Sequence, residues 1–397
     1  MSELPVAEIG SLVQRVGSWN PTRDGQGQTI QYIDLGAVDN DLKEITAPQS
    51  VLAQDAPSRA RQLVRAGDVL VSTVRPNLNG VARVPVGLDG STASTGFCVI
   101  RPTRALLAEY LFHWVKSPDF VSIMVRRATG QSYPAVSDRV VLESCIPLPP
   151  LDEQRRIAAI LDQADTLRCK RREALTNLDK LEHSIFESIC GDPVRNSKDW
   201  PADLELGDVA EIVSGITKGR KLGDRSARSI PYLTVANVQD RYLALHSVKE
   251  IEATEAEIAR YRLMPDDLLL TEGGDPDKLG RGALWAGELP EVIHQNHVFR
   301  VRLKANGLNP VFLNWLVGSQ RGKNYFLRAA KQTTGIASIN MGQLKKFPLL
   351  VPPIEVQDAF AAAIRAVDAQ KQVQNRNLAK LKRLFASLQH RAFRGEL

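Results

Sequence analysis

The stretch Pro147-Leu148-Pro149-Pro150-Leu151-Asp152-Glu153-Gln154 returns later in the chain as Leu350-Val351-Pro352-Pro353-Ile354-Glu355-Val356-Gln357. Proline fixes its own φ and pushes the residue before it toward extended backbone, so each Pro-Pro pair stops a strand and presets the segment that follows. In both places a long apolar stripe follows, mostly at spacings of three and four. The first runs through Leu151, Ile157, Ile160, Leu161, Ala164, Leu167, Leu175, Leu178, Leu181 and Ile185, the second through Val356, Phe360, Ile364, Val367, Leu378, Leu381, Phe385 and Leu388. Charged residues fill the faces between, and both stripes outlast a typical globular helix. This is the pattern of helices that pack on each other. The spacing predicts one helix from about Leu151 to Cys190, stopped by Gly191-Asp192-Pro193, and another from about Ile354 to Ala392. At 1.5 Å per residue each would span on the order of 60 Å.

Working outward, the rest of the chain also repeats. Ile30-Gln31-Tyr32-Ile33 returns as Ile230-Pro231-Tyr232-Leu233, and Gly67-Asp68-Val69-Leu70-Val71-Ser72 as Asp266-Asp267-Leu268-Leu269-Leu270-Thr271. The offset of roughly 200 residues is too long for a solenoid of small units and marks a duplication of whole domains. Leu4, Val6, Ile9 and Val13 likewise match Leu204, Leu206, Val209 and Val213. Short runs bounded by Gly, Pro, Asn and Asp read as strands: 30–35, 68–74, 80–84 and 97–101 in the first copy, 230–235, 267–271, 282–285 and 297–303 in the second. A short helix is predicted after each set, over 106–116 and 310–319. The expected fold class is α+β: two globular β-rich domains separated by two long antiparallel helices, related by a pseudo-two-fold internal repeat.

The chain of 397 residues has room for two or three cores, and 43% hydrophobic with 24% charged residues fits ordinary soluble protein. No apolar run approaches the roughly 20 residues that span a bilayer, and Met1-Ser2-Glu3-Leu4-Pro5 does not resemble a signal peptide. The four cysteines, Cys98, Cys145, Cys169 and Cys190, are scattered, which argues against a zinc ribbon or a disulfide framework and fits a reducing cytosol. A net charge of +6 and a pI near 9.1 are compatible with nucleic acid without demanding it.

Sequence motifs of catalytic chemistry are almost absent. The glycine-rich run 273–282 lacks the order of a phosphate loop, and there is no G-x-S-x-G elbow. His294 and His297 stand three apart with no Cys or acidic cluster to complete a metal set, so a structural or hydrogen-bonding role is expected and no metal site is assigned. Amino-methyltransferases acting on adenine carry an Asn/Asp-Pro-Pro-aromatic tetrad. Leu148-Pro149-Pro150-Leu151 and Val351-Pro352-Pro353-Ile354 lack both its polar first residue and its aromatic last one.

With these motifs together, the chain resembles the specificity subunits of type I restriction–modification enzymes. The motifs are Leu206-Gly207-Asp208-Val209, Ile230-Pro231-Tyr232-Leu233, Asp266-Asp267-Leu268-Leu269 and, most specific, Pro147 to Ile157, which follows the family's P-x-P-P-x-x-E-Q-x-x-I pattern. The tail Gln389 to Leu397 is also similar. The second copy departs from the pattern at Val356, where Glu is expected, and keeps Gln357. The resemblance covers the whole chain. It implies a target-recognition domain over 1–150, a central conserved helix over 151–192, a second target-recognition domain over 193–353 and a C-terminal conserved helix over 354–397. It further implies a non-catalytic, DNA-binding subunit in the prokaryotic cytoplasm. Such a subunit reads a split site on double-stranded DNA, one half per domain. Two methyltransferase subunits carrying S-adenosylmethionine dock on the long helices. Restriction subunits using ATP and Mg join them, and no cofactor belongs to this chain itself. Methylation would require the target adenine to be flipped into a partner's pocket.

Base edges in the major groove are read by Arg, Lys, Asn and Gln side chains, while phosphate contacts position the protein and make binding salt-dependent. Candidates in the first domain are Arg75, Asn77 and Asn79 in the loop after a strand, with Gln131, Ser132 and Tyr133. In the second they are Lys278 and Arg281 in the matching loop, the patch Lys218, Arg220 and Lys221, and Lys331, Gln332 and Thr334 around a Thr-Gly pair that matches Thr129-Gly130. Packing between the long helices is expected from Ile157, Ile160, Leu161, Leu167, Leu178 and Leu181 against Phe360, Ile364, Val367, Leu378, Leu381 and Phe385. The alternative is a scaffold that assembles other proteins without DNA. A solitary methyltransferase is disfavoured by the missing tetrad.

Overall fold

A computed structural model describes residues 4–223, 225–275, 278–304, 307–333 and 336–397. The chain divides into two compact units, one made of Met1–Leu175 with Gln374–Leu397, the other of Thr176–Val373. The long helices run over Leu151–Cys190 and Ile354–Ala392, the bounds the apolar stripes predict.

The first unit holds a four-stranded antiparallel sheet in the order Val13–Gln14, Phe97–Pro102, Val69–Ser72, Val81–Arg83. A second sheet follows the order Gly17–Ser18, Ala60–Leu63, Thr92–Ser94, Thr29–Ile33, Gln49–Leu52, with the Thr29 and Thr92 strands parallel. The second unit repeats the plan. Ala210–Ser214, Val298–Leu303, Leu268–Thr271 and Gly282–Leu284 form the four-stranded sheet. Lys249–Ala253, Arg228–Leu233 and Ile293–His294 form the other, again with one parallel pair.

The repeated motifs are interior strands of these sheets. In Val69-Leu70-Val71 the two valines enter one apolar cluster and Leu70 enters another. In the second copy Leu268 and Leu270 face one cluster and Leu269 the next. Side chains alternate along a strand, so an unbroken apolar run is what a strand buried on both faces requires. The Asp before each run is also explained. Asp68 is buried, accepts the Arg65 amide at 2.8 Å and takes both arms of Arg101 at 2.8 and 2.7 Å. Asp267 accepts the Met264 amide at 2.7 Å and both arms of Arg302 at 2.7 Å.

The glutamine that both Pro-Pro segments retain is a clamp. Gln154 is buried, donates to the Ala105 and Pro149 carbonyls at 3.1 and 2.9 Å and accepts the Leu107 amide at 3.0 Å. Gln357 donates to Gly307 and Pro352 at 3.2 and 2.7 Å and accepts the Asn309 amide at 2.8 Å. Each ties the first turn of a long helix to the start of a shorter one, Ala108–Val115 or Pro310–Gly318. Glu153, by contrast, pairs with exposed Arg156 at 2.7 Å, a contact at the surface that Val356 gives up in the second copy.

The long helices share the cores of the units they enter. Ile157, Leu161 and Phe385, with Phe393 just past the helix end, join Tyr110, Leu111 and Trp114 in the first unit. Phe186, Phe360 and Ile364 join Phe312, Leu313 and Trp315 in the second. Within the first unit Arg168 lies 4.2 Å from the Phe385 ring centre and Arg171 bonds Gln374; within the second, Lys371 pairs with Asp179 and Glu182 at 2.7 and 3.1 Å. Residue numbers rise along one helix as they fall along the other, so the pairing is antiparallel in each unit. Ile157, Leu161, Phe360, Ile364, Val367, Leu378 and Phe385 are buried, and Ile160, Leu178 and Leu381 half-buried. Leu167 and Leu181 are corrections to the expected packing set, being 48% and 45% exposed. The seam is narrower than the apolar stripe, and Glu182 and Gln374 occupy buried positions in it, bonded across to Lys371 and Arg171. At 3.6 residues per turn the position next to Glu182 faces away.

Candidate nucleic-acid interface

In each unit the central strand runs out into a loop that pairs with a distant hairpin. In the first, Thr73 bonds Gly96 through its hydroxyl at 2.9 Å and its carbonyl accepts the Val136 amide at 2.8 Å. Val74 and Thr129 both bridge to Ala135, and the Arg75 amide donates to Pro134 at 2.7 Å. In the second unit Gly273–Gly274 pair with Ile336–Ser338, which pair in turn with Lys331–Thr333. Glycine is required at 273, because a Cβ there would lie 2.8 Å from the Ala337 carbonyl oxygen. The hairpin follows the helices Pro118–Arg127 and Gln320–Ala329, which lie beyond the short helices expected over 106–116 and 310–319.

This pairing brings Arg75, Asn77 and Asn79 to the same edge as Gln131, Ser132 and Tyr133. All but half-buried Asn79 are exposed, and Tyr133 is 69% exposed. Arg75 lies over the Tyr133 ring at 4.8 Å. Both residues border a cleft of about 350 Å³ with Leu35, Asn40, Leu78 and Phe97. Lys43, which sequence reasoning missed, donates from Nζ to the Asn79 carbonyl at 2.5 Å. Burial and then the Lys116 charge hold its ammonium down at about 8. Its left-handed backbone, at φ 61°, is not visible in residue types alone.

In the second unit Lys278 and Arg281 border a cleft of about 300 Å³ with Gln239, Tyr242 and Lys323. Lys278 pairs with Asp275, and Arg281 donates to Gln239 at 3.2 Å. Tyr242 is a second exposed aromatic that the motif search passed over. Lys331 is exposed and Gln332 lies in the hairpin strand, while Thr334 falls outside the described residues. The expected basic patch divides. Lys218 and Lys221 are exposed, whereas Arg220 forks onto Glu257 at 2.6 and 2.8 Å and donates to the Glu252 carbonyl. Hydrogen bonding from Arg220 holds the Glu257 carboxyl down at about 2, and Glu257 also closes the capping box of Glu255–Tyr261.

The two histidines have separate structural partners. His294 is fully buried, its Nδ1–H donates to the Val298 carbonyl at 2.8 Å, and burial pushes it down to about 4. His297 sits 2.5 Å from the Glu272 carboxylate. Among the described residues no group of three or more His, Cys, Asp or Glu is placed to hold a metal ion, and no helix is long and apolar enough to cross a membrane.

The family described as the type I restriction modification DNA specificity domain matches residues 60–177 and 197–383, once in each copy of the repeat. The chain belongs to this family. Relatives of this specificity subunit include the type I restriction enzyme EcoKI specificity subunit of Escherichia coli K12. The two are 24% identical over 322 residues, covering 76% of this chain and 68% of the relative. A chain from a structural study of complex assembly and conformational transition of the type I R-M system aligns over 100% of both chains, with a TM-score of 0.60 and 25% identity. The type I restriction–modification S subunit from M. genitalium shares the fold at a TM-score of 0.56 and 13% identity, over 98% of this chain and 96% of that one. Two recognition domains with long helices are therefore the architecture of this subunit.

Proposed function

We propose that this specificity subunit reads an asymmetric, two-part sequence on double-stranded DNA, one half-site per recognition unit, as the non-catalytic member of its complex. The observation that carries this is the pair of loop-and-hairpin edges. Each is built on the same strand order and the same Asp–Arg fork, yet Arg75-Pro76-Asn77 stands in one where Gly274-Asp275 stands in the other. A shared frame with different side chains at its edge suits different base sequences. A scaffold without DNA would give the frame but no reason for paired basic and aromatic edges.

Modification subunits would dock on the long helices, with S-adenosylmethionine in those partners and ATP and Mg with restriction subunits. Leu167 and Leu384 in the first unit, and Leu181 and Val373 in the second, leave apolar surface on the outer helix faces, which supports such docking.

The test is methylome sequencing of the host with and without the gene for this chain. Loss of N6-methyladenine at a split, asymmetric motif is expected, and an unchanged methylome would sink the reading. A second expectation concerns the basic turn. Changing Lys218 and Lys221 together to Ala should weaken DNA binding by the assembled complex and reduce the slope of log K against log salt by about 2. Equal slopes for both proteins would remove these lysines from the interface. Arg220 is left out because its removal frees Glu257 and loosens a helix cap.

A further inference from the structure

Arg75 combines a left-handed backbone with an exposed side chain held over an aromatic ring. Its backbone is left-handed, with φ 49°, and Asn79 at φ 48° closes the same short turn, Pro76–Leu78. Residues other than glycine persist in that region only where their surroundings over-determine them. Here the Arg75 amide is tied to Pro134 at 2.7 Å and Val74 bridges to Ala135. The side chain is exposed but oriented, with its guanidinium over the Tyr133 ring at 4.8 Å. Arg83 and Arg101 are matched by Glu109 and Asp68, whereas among the described residues no carboxylate pairs with Arg75. Beside it the cleft is walled by Leu35, Leu78 and Phe97.

A phosphate contact needs charge, and a flexible lysine supplies it. Stacking fixes the plane of a guanidinium while leaving its N–H edges free, which matters when two acceptors must be met side by side. Guanine offers that pair, O6 and N7, in the major groove. Resting on the proposed DNA-reading function, we infer that Arg75 specifies a guanine in the half-site read by the first unit, with Tyr133 as the positioning residue that sets the guanidinium plane. Counted from the central strand, Gly274 stands at the place of Arg75 in the second unit, so this element acts in one half-site alone.

The experiment compares host methylomes carrying the wild-type chain, Arg75→Lys, Arg75→Ala, Tyr133→Phe and Tyr133→Ala. Arg75→Lys keeps the charge and loses the fork. It should relax the guanine preference at one position of one half-site by about tenfold to a hundredfold, leaving the other half-site intact. Tyr133→Phe should keep the preference, and Tyr133→Ala should relax it at the same position. A wild-type motif that survives unchanged in Arg75→Lys overturns the inference, as does a uniform loss of methylation at every site in a folded Arg75→Ala protein, the mark of a phosphate contact. A wild-type host without any split motif overturns both this inference and the function on which it rests.

Discussion

Replacing Asp267 with alanine should destabilise the second unit by about 2–4 kcal/mol, because it leaves the half-buried Arg302 guanidinium without its carboxylate and the Met264 amide without its acceptor. The carboxylate is almost fully buried, both its oxygens accept from Arg302, and one also accepts the Met264 amide that forms the turn into the central strand. Asp68→Ala should do the same in the first unit, through Arg101 and the Arg65 amide. Amide exchange followed unit by unit is the direct measurement. Protection should fall around Leu268–Thr271 in one variant and around Val69–Ser72 in the other. Changing both Asp267 and Arg302 to leucine should recover part of the loss, since apolar replacement of a whole buried pair is often close to neutral. A loss below about 1 kcal/mol in Asp267→Ala would show that water reaches the fork freely.

Phe360→Ala should cost the second unit about 3–5 kcal/mol, the usual range for emptying a buried aromatic site. The ring is fully buried, with Phe186, Trp315 and Phe312 at centroid distances of 5.6, 5.7 and 6.1 Å, each near edge-to-face. It is the point where both long helices and the shorter Pro310–Gly318 helix meet one core. Denaturant unfolding followed by tryptophan fluorescence would read the change, with Phe360→Leu expected to retain more of the stability than Phe360→Ala. If the two variants unfold at the wild-type midpoint, the helix does not depend on this cluster for its seat.

Much of the architecture was legible because it rests on periodicity and punctuation. Pro149-Pro150 and Pro352-Pro353 stop the strands, and the stripes from Leu151 and Ile354 place both helices. The repeated Asp-apolar and Ile-x-Tyr motifs proved to be interior strands. The same reading failed where a contact depends on which side of a helix its neighbour occupies. Leu167 and Leu181 fit the spacing, but the seam is set by where the antiparallel partner lies, and Glu182 takes the buried place beside Leu181. Arg220 sat among lysines as one more cation, and its commitment to Glu257, 37 residues away, was invisible.

Local rules thus suffice for the domain-scale duplication, the two long helices, the strand centres and the family resemblance, because each depends on neighbours within a few residues or on an exact return of the same motif. Folding alone decides which polar side chains remain available. It pairs Asp68 with Arg101 and Asp267 with Arg302, turning motif residues into structural ones. It also carries Tyr133 across 58 residues to Arg75, whose guanidinium lies over the ring with no carboxylate partner among the described residues. Those outcomes come from chain crossings between sheets and hairpins, and no periodicity in a linear sequence encodes the distance between two loops.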